Sequence, residues 1–182
     1  MIPRIFKYVL IGILFMTPGE FLINVFVKGS LAYYFLAVLF YALLIFISYG
    51  LWKLTSRMRS QWLEFTLSSL LFGFLGLMGE WFILGNAPWL NPGAVQLGMV
   101  AWWIGVFLVP RLFLEDDSYR DIKKFALWFH VIFSLVYLIV SALGRLAIGI
   151  VIFGYGMVVW LPLYILYIRR KWKLSKAVSG SS

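Results

Sequence analysis

The chain has 182 residues, of which 63% are hydrophobic and 13% are charged, and its mean hydropathy is +0.95. A soluble domain is about 45–50% apolar and about 25% charged, so this composition predicts a chain that is solvated largely by lipid. The chain contains no cysteine and one histidine, His130. Disulfides, iron–sulfur clusters, Cys-ligated zinc and a His-rich metal site within one chain are therefore excluded, and no metal or cofactor is expected.

The apolar runs predict an all-α, polytopic membrane protein with six transmembrane helices, since about 20 apolar residues cross the hydrocarbon core. The first four predicted helices cover residues 8–27, 31–52, 62–85 and 93–114. The run 125–168 is too long for one span, and the polar, glycine-containing stretch 141–145 divides it into two more helices. We therefore expect a single transmembrane domain over residues 1–176, followed by a disordered tail or tag remnant at 177–182.

The basic residues predict the orientation of these helices. With six spans, 14 of the 16 Lys and Arg residues fall on one side, and only Lys28 and Arg145 fall on the other. Positive residues stay on the cytoplasmic side of a membrane, so both termini should be cytoplasmic in a cell (inner or plasma) membrane. Topology and anionic lipid explain the formal charge of +9 better than nucleic acid, which is not expected as a partner.

A short pattern recurs at the outer ends of the predicted odd-numbered helices. Gly19-Glu20-Phe21-Leu22-Ile23 resembles Gly79-Glu80-Trp81-Phe82-Ile83, and Gly144-Arg145 occupies a corresponding place. The charged positions are 60 and 65 residues apart, which is one helical hairpin each time. This spacing indicates three two-helix repeats, an organisation found in transport proteins, although chance similarity between apolar segments competes with it.

Two carboxylates within the predicted spans are the leading site residues. A charged group in a span costs about 2.5–3.5 kcal/mol on insertion scales, so it tends to face a partner or a water-filled cavity. Glu20 precedes Lys28 by eight residues, which is about 12 Å of helix, and Asn24 lies one turn later on the same face. Glu80 is closer to its helix end. Either carboxyl could carry a proton or receive a cation, and the competing interpretation is that Glu80 and Arg145 reach the interface while Glu20 is structural.

Three further residues complete the predicted binding site, which lies near the outer leaflet. Arg145 could join the polar centre, Trp81 follows Glu80, and Trp89 lies in an uncharged loop with two prolines that could cover a pocket. Aromatic side chains at such positions form an interfacial belt or the walls of a pocket.

Other polar residues receive a structural interpretation from the sequence alone. Glu64 and Arg111 are near the inner helix ends, where the charged groups are expected to reach water along the helix. His130 is expected to be a packing or hydrogen-bonding residue. The acidic stretch 115–121 lacks the spacing of a metal motif and is expected to be a solvated loop.

The sequence leaves three functions open. The first is a small transporter or channel-like protein in which Glu20 and Glu80 bind an ion, a proton or a polar substrate. The second is a membrane-embedded enzyme that acts on a lipid or isoprenoid, with the two carboxyls as an acid/base pair. The third is a non-catalytic subunit whose charges pair with a membrane protein partner or with a second copy. Membrane lipids are expected contacts in every case.

Overall fold

A computed structural model describes residues 3–85, 87, 93–141 and 161–179 of the chain, and every regular element within these ranges is helical. The helices are α1 (Arg4–Phe21), a π-helix (Leu22–Val27), α2 (Leu31–Thr55), α3 (Gln61–Leu84), α4 (Gly93–Phe113), a short 3-10 helix (Asp117–Tyr119), α5 (Arg120–Ser141) and α6 (Leu161–Ser179). The prediction of an all-α protein is confirmed for the described residues. The predicted bounds of the second, third and fourth helices agree with α2, α3 and α4 to within three residues.

Four of the described helices are long and apolar enough to cross a membrane: α2, α3, α4 and the stretch Asp117–Val140, which contains all of α5 except its last residue. Their outer faces expose large apolar side chains, for example Leu39 at 68%, Leu70 at 65% and Ile139 at 70%. Exposure of so many large apolar side chains is unfavourable in water. Length, composition and exposure therefore support a membrane protein, whereas six spans and three repeats stay predictions.

Helix α4 lies at the centre of the bundle and packs against α1, α3, α5 and α6. In α4, 61% of an 18-residue apolar stretch is buried inside the bundle, whereas in each of the other three candidate spans the buried share of such a stretch is only 24–28%. Trp103, Phe107 and Leu112 of α4 have no exposed surface. The Tyr8 hydroxyl of α1 donates to the Phe107 carbonyl (2.8 Å) and lies 3.2 Å from Ser48 Oγ of α2. A buried hydroxyl is thus satisfied where three helices meet.

Capping residues define where the helices begin and end. Ser30 and Ser60 accept from the backbone N–H three residues later and begin α2 and α3, as N-caps do. Gly85 ends α3 with a φ of 69°, a left-handed conformation that glycine adopts without steric cost. The apolar run of the last predicted helix ends at residue 168, but α6 continues through Arg169 to Ser179.

One end of the bundle gathers most of the charged side chains of the described residues. Here α1 begins, α2 ends, α3 begins and α4 ends, and we call this the basic end. Arg4 at the start of α1 lies 5.5 Å from the ring of Trp52 near the end of α2, and Arg111 near the end of α4 pairs with Glu64 near the start of α3. The helices α1 to α4 therefore run antiparallel to one another in chain order.

Candidate functional site

Glu20 lies where α1 changes into the π-helix. Pro18 in the last turn of α1 has no backbone N–H and cannot donate the usual helical hydrogen bond, and the chain winds as a π-helix from Leu22 to Val27. Such wide turns occur mostly as short interruptions in α-helices, often at functional sites. The sequence indicates a perturbed turn at Pro18, but not the kind of turn that forms.

Both carboxylate oxygens of Glu20 accept a hydrogen bond from a neighbouring side chain. Asn24 Nδ2, one turn further on, donates to Oε2 at 2.7 Å and also to the Glu20 carbonyl at 3.1 Å. The hydroxyl of Tyr41, on α2, donates to Oε1 at 3.0 Å. The carboxylate therefore joins the first helical hairpin through one contact within a segment and one contact across to α2.

A positive charge completes this arrangement through the amide of Asn24. Lys28 Nζ donates to Asn24 Oδ1 at 3.1 Å, so a line of hydrogen bonds runs from Lys28 through Asn24 and Glu20 to Tyr41. Asn24 is buried, with 3% of its surface exposed, and Tyr41 is buried at 7%. The group carries no net charge when Glu20 is ionised and one positive charge when Glu20 is protonated.

A cavity of about 140 Å³ opens beside this line of hydrogen bonds. Its wall combines the polar groups with aromatic and aliphatic side chains of α2, and the lining residues are Glu20, Asn24, Lys28, Tyr33, Leu36, Ala37, Phe40 and Tyr41. A cavity of this size holds a few water molecules or one small ion. The carboxylate of Glu20 can bind a proton. The carboxylate, amide and phenol oxygens together are the kind of ligand that a small hard cation prefers.

The second predicted carboxylate, Glu80, is not among the described residues that line this cavity. It is half-buried near the end of α3, and the glycine before it packs against α2. A methyl group on Gly79 would lie 2.7 Å from Leu44 Cδ1 and 3.2 Å from the ring of Phe40. Phe40 therefore contacts the Gly79 position and also lines the cavity.

The remaining predicted site residues contribute less to the described site. Trp81 stacks on Phe82, with ring centroids 4.4 Å apart, and it does not line the cavity. Trp89 and Arg145 lie outside the described residues.

The structure thus brings Glu20 and Asn24 together and adds Lys28 and Tyr41. From the sequence alone, Lys28 is only a marker of topology and Tyr41 is not identified. A phenol within the apolar run 31–52 is nevertheless a signal for a buried hydrogen bond.

Glu64 and Arg111 belong to a second group of polar side chains, which lies inside the basic end. The expectation that their charged groups reach water is wrong. Glu64 and Arg111 do not reach water along their helices, since their exposed fractions are 5% and 1%. Arg111 Nη2 lies 2.8 Å from Glu64 Oε1 and donates to Oε2 at 3.1 Å. Arg111 Nε donates to the hydroxyl of Tyr167 at 3.1 Å, and that hydroxyl donates to Glu115 Oε1 at 2.6 Å. These side chains connect α3, α4, α6 and the segment that follows α4.

Packing explains why Arg111 and Glu64 are held inside. The guanidinium of Arg111 lies 5.3 Å from the ring of Trp52 and 5.5 Å from the ring of Tyr167, so aromatic faces cover it where water would otherwise solvate it. Lys171 Nζ, 3.8 Å from Glu64 Oε2, adds a second cation. Burial together with the nearby Arg111 charge lowers the pKa of Lys171.

His130 has the packing role that the sequence indicates. It is buried, and its ring stacks on Phe15 with centroids 3.9 Å apart. Within the described ranges, no group of three or more His, Asp or Glu side chains is placed to hold a metal ion. The polar group around Glu20 lies at the end opposite the basic end and borders a cavity with a carboxylate in its wall.

Comparisons of the chain with models of protein families, with curated proteins and with solved structures gave no match. The class of protein is therefore defined by its helices alone: an all-helical chain, within the described residues, with four helices able to cross a membrane.

Proposed function

We propose that this chain is a small transporter or channel-like protein of a cell membrane, and that Glu20 is the group to which the transported proton or small cation binds. It would cross the membrane six times, with both termini cytoplasmic and the Glu20 site near the outer leaflet. The observation that carries the proposal is the position of the Glu20 carboxylate, in the wall of a cavity and hydrogen-bonded to Asn24 and Tyr41.

The chemistry of the site favours a monovalent ion over a large substrate. The cavity of about 140 Å³ is smaller than the roughly 300–1,000 Å³ of typical small-molecule pockets. Glu20 supplies one negative charge, and Lys28 already balances it through Asn24. A proton on Glu20, or a small cation that takes the place of Lys28, changes the charge of the site by one unit. A divalent cation would need more carboxylates than this cavity wall provides.

The local backbone offers a means of coupling binding to movement. The junction of α1 with the π-helix breaks the regular hydrogen bonding next to Glu20. Tyr41 lies on α2 and contacts Glu20 across the hairpin, so protonation would remove a charge-assisted hydrogen bond between the two segments. In transport proteins, interrupted helices of this kind form the ion and substrate sites.

The test is ion flux in proteoliposomes that contain the purified chain. The probes are H⁺, followed with a pH-sensitive dye inside the vesicles, and Na⁺ and NH₄⁺, each driven by an imposed potential. We expect one of the three probes to enter faster than in protein-free vesicles. Glu20→Gln keeps the shape of the side chain and removes the titratable group, so this variant should abolish the difference. Glu80→Gln should have a weaker effect, because Glu80 does not line the cavity.

Two results would contradict the proposal. Flux in Glu20→Gln equal to that of the wild type would make Glu20 a structural residue. Equal flux with and without the wild-type protein, for all three probes, would argue against transport and favour an enzyme or a non-catalytic subunit.

A further inference from the structure

A groove lies between α5 and α6 at the basic end, on a surface that the Glu20 site does not include. Its volume is about 220 Å³, and the residues lining it are Asp121, Ile122, Leu166, Arg169, Arg170 and Lys173. The four α6 residues follow the spacing i, i+3, i+4 and i+7, which places them on one face of the helix. The first turn of α5 supplies the other wall.

The charges of this groove do not cancel. Arg170 donates to both carboxylate oxygens of Asp121, at 2.8 and 3.3 Å, and to the Ser118 carbonyl at 2.5 Å. The single carboxylate of the groove is therefore matched by Arg170, and Arg170 is held in place. Arg169 and Lys173 are exposed and, among the described residues, have no ion-pair partner. The groove thus presents two uncompensated positive charges one helical turn apart.

The groove is apolar on the side that faces the middle of the bundle. Leu166 precedes Lys173 by seven residues, which is about 10 Å along the helix axis, and 47% of its surface is exposed. Ile122 lies on the opposite wall. Moving from the end of the bundle inward, a ligand would first meet cations and then an aliphatic surface.

We propose that this groove binds one anionic phospholipid of the leaflet at the basic end. Arg169 and Lys173 contact the phosphate, and Leu166 contacts an acyl chain. A basic pocket between membrane helices at headgroup level attracts anionic lipid, and a bidentate guanidinium suits a phosphate group. A soluble phosphate would use the cations but not the aliphatic wall, so the combination favours a lipid. This inference concerns a separate surface and does not depend on transport.

The experiment compares the wild type and three variants of the full chain in neutral detergent by native mass spectrometry. The probes are phosphatidylglycerol and the zwitterionic phosphatidylcholine. The variant Arg169→Gln/Lys173→Gln removes the two exposed charges of the groove. The control Arg57→Gln/Arg59→Gln removes two charges from the exposed loop between α2 and α3, at the same end of the molecule. All four of the substituted side chains are solvent-exposed. An unchanged circular dichroism spectrum of each variant confirms that it is folded.

The wild type should bind phosphatidylglycerol in preference to phosphatidylcholine. The groove variant should lose affinity on the order of tenfold, from the attraction of two basic groups near the surface. The loop control should change by less than about twofold, since its charges lie outside the groove. Arg169→Lys keeps the charge and should retain most of the binding, and inorganic phosphate should fail to displace the lipid.

Three outcomes would overturn the inference. Undiminished lipid binding in the groove variant would show that Arg169 and Lys173 are not the contacts. An equal loss in the groove variant and the loop control would show a diffuse attraction to the whole basic end. Displacement of phosphatidylglycerol by millimolar inorganic phosphate would identify a soluble anion, instead of a lipid, as the ligand.

Discussion

Glu64 on α3 and Arg111 on α4, 47 residues apart in the sequence, form an ion pair of 2.8 Å in which both side chains are almost completely buried. Two charges taken out of water cost several kcal/mol each, and their attraction compensates only if the remaining donors and acceptors are also satisfied. Tyr167 and the ring of Trp52 complete the surroundings of Arg111. The pair is thus one part of a network that joins α2, α3, α4 and α6 at the basic end.

Removal of one partner from this pair should be strongly destabilising. Glu64→Gln leaves Arg111 buried without its counter-charge, which costs about 3–5 kcal/mol and should lower the thermal unfolding midpoint in detergent by roughly 10 °C. The double variant Glu64→Leu/Arg111→Met removes both charges and should recover a large part of that loss. A midpoint for Glu64→Gln within about 2 °C of the wild type would mean that the pair contributes little in solution.

The sequence predicts the helices of this chain better than it predicts their ends. The bounds of α2 and α3 follow from the apolar runs because a serine N-cap or a terminal glycine coincides with each change in polarity. In α6 the apolar run stops at Arg169, but the helix continues. Lys, Arg, Leu and Ala all favour helix, so hydropathy reports where the lipid ends and not where the backbone stops winding.

The sequence likewise predicts some residues of the candidate site and misses others. Asn24 follows from the i, i+4 spacing on one helical face, whereas Tyr41 depends on the register between α1 and α2, which no local pattern contains. The burial of Glu64 and Arg111 was missed for a related reason. Each lies near a helix end, where long side chains usually reach water, and only the packing of α3 on α4 shows that both point inward.

Gly76 of α3 should not tolerate a side chain. A methyl group there would overlap ring atoms of Trp103 on α4, and Trp103 has no exposed surface and packs against the rings of Phe40 and Tyr41. Gly76→Ala should therefore lower stability by about 1–3 kcal/mol or more, as overpacking does. Gly50→Ala is the matched control, since nothing lies within 4 Å of its added methyl group. It should be neutral or stabilising by up to about 1 kcal/mol.

Thermal unfolding in the same detergent measures both glycine variants. Equal midpoints for Gly76→Ala and Gly50→Ala would show that α3 and α4 do not approach each other closely at Trp103.

The segment between α4 and α5 should lose local order in acid. Asp116 accepts hydrogen bonds from the side chain and the backbone N–H of Ser118, and these bonds lower the pKa of Asp116 below its usual value. Because the pKa is lower in the folded state, the contribution is complete above the ordinary pKa of about 3.9. It disappears as the pH falls through the folded-state value.

Amide hydrogen exchange near Ser118, corrected for the intrinsic rate, tests this pH dependence. Protection should be lower at pH 3 than at pH 6 in the wild type, and Asp116→Ala should show the low value at both. Asp117→Ala, next to it and also exposed, should behave like the wild type. Protection that does not depend on pH or on Asp116 would exclude the Asp116–Ser118 hydrogen bonds as its cause.

The two caps of α2 provide the sharpest test of membrane crossing. Ser30 begins the helix and Ser56 ends it, and the 25 residues between them span about 37 Å, more than the hydrocarbon core of about 30 Å. The wild type has no cysteine, so it gives no background with a thiol reagent. Ser30→Cys should react with an impermeant maleimide from outside intact cells, and Ser56→Cys should react only after permeabilisation. The reverse pattern would show that the orientation is wrong, and reaction of both from outside would show that α2 does not cross the membrane.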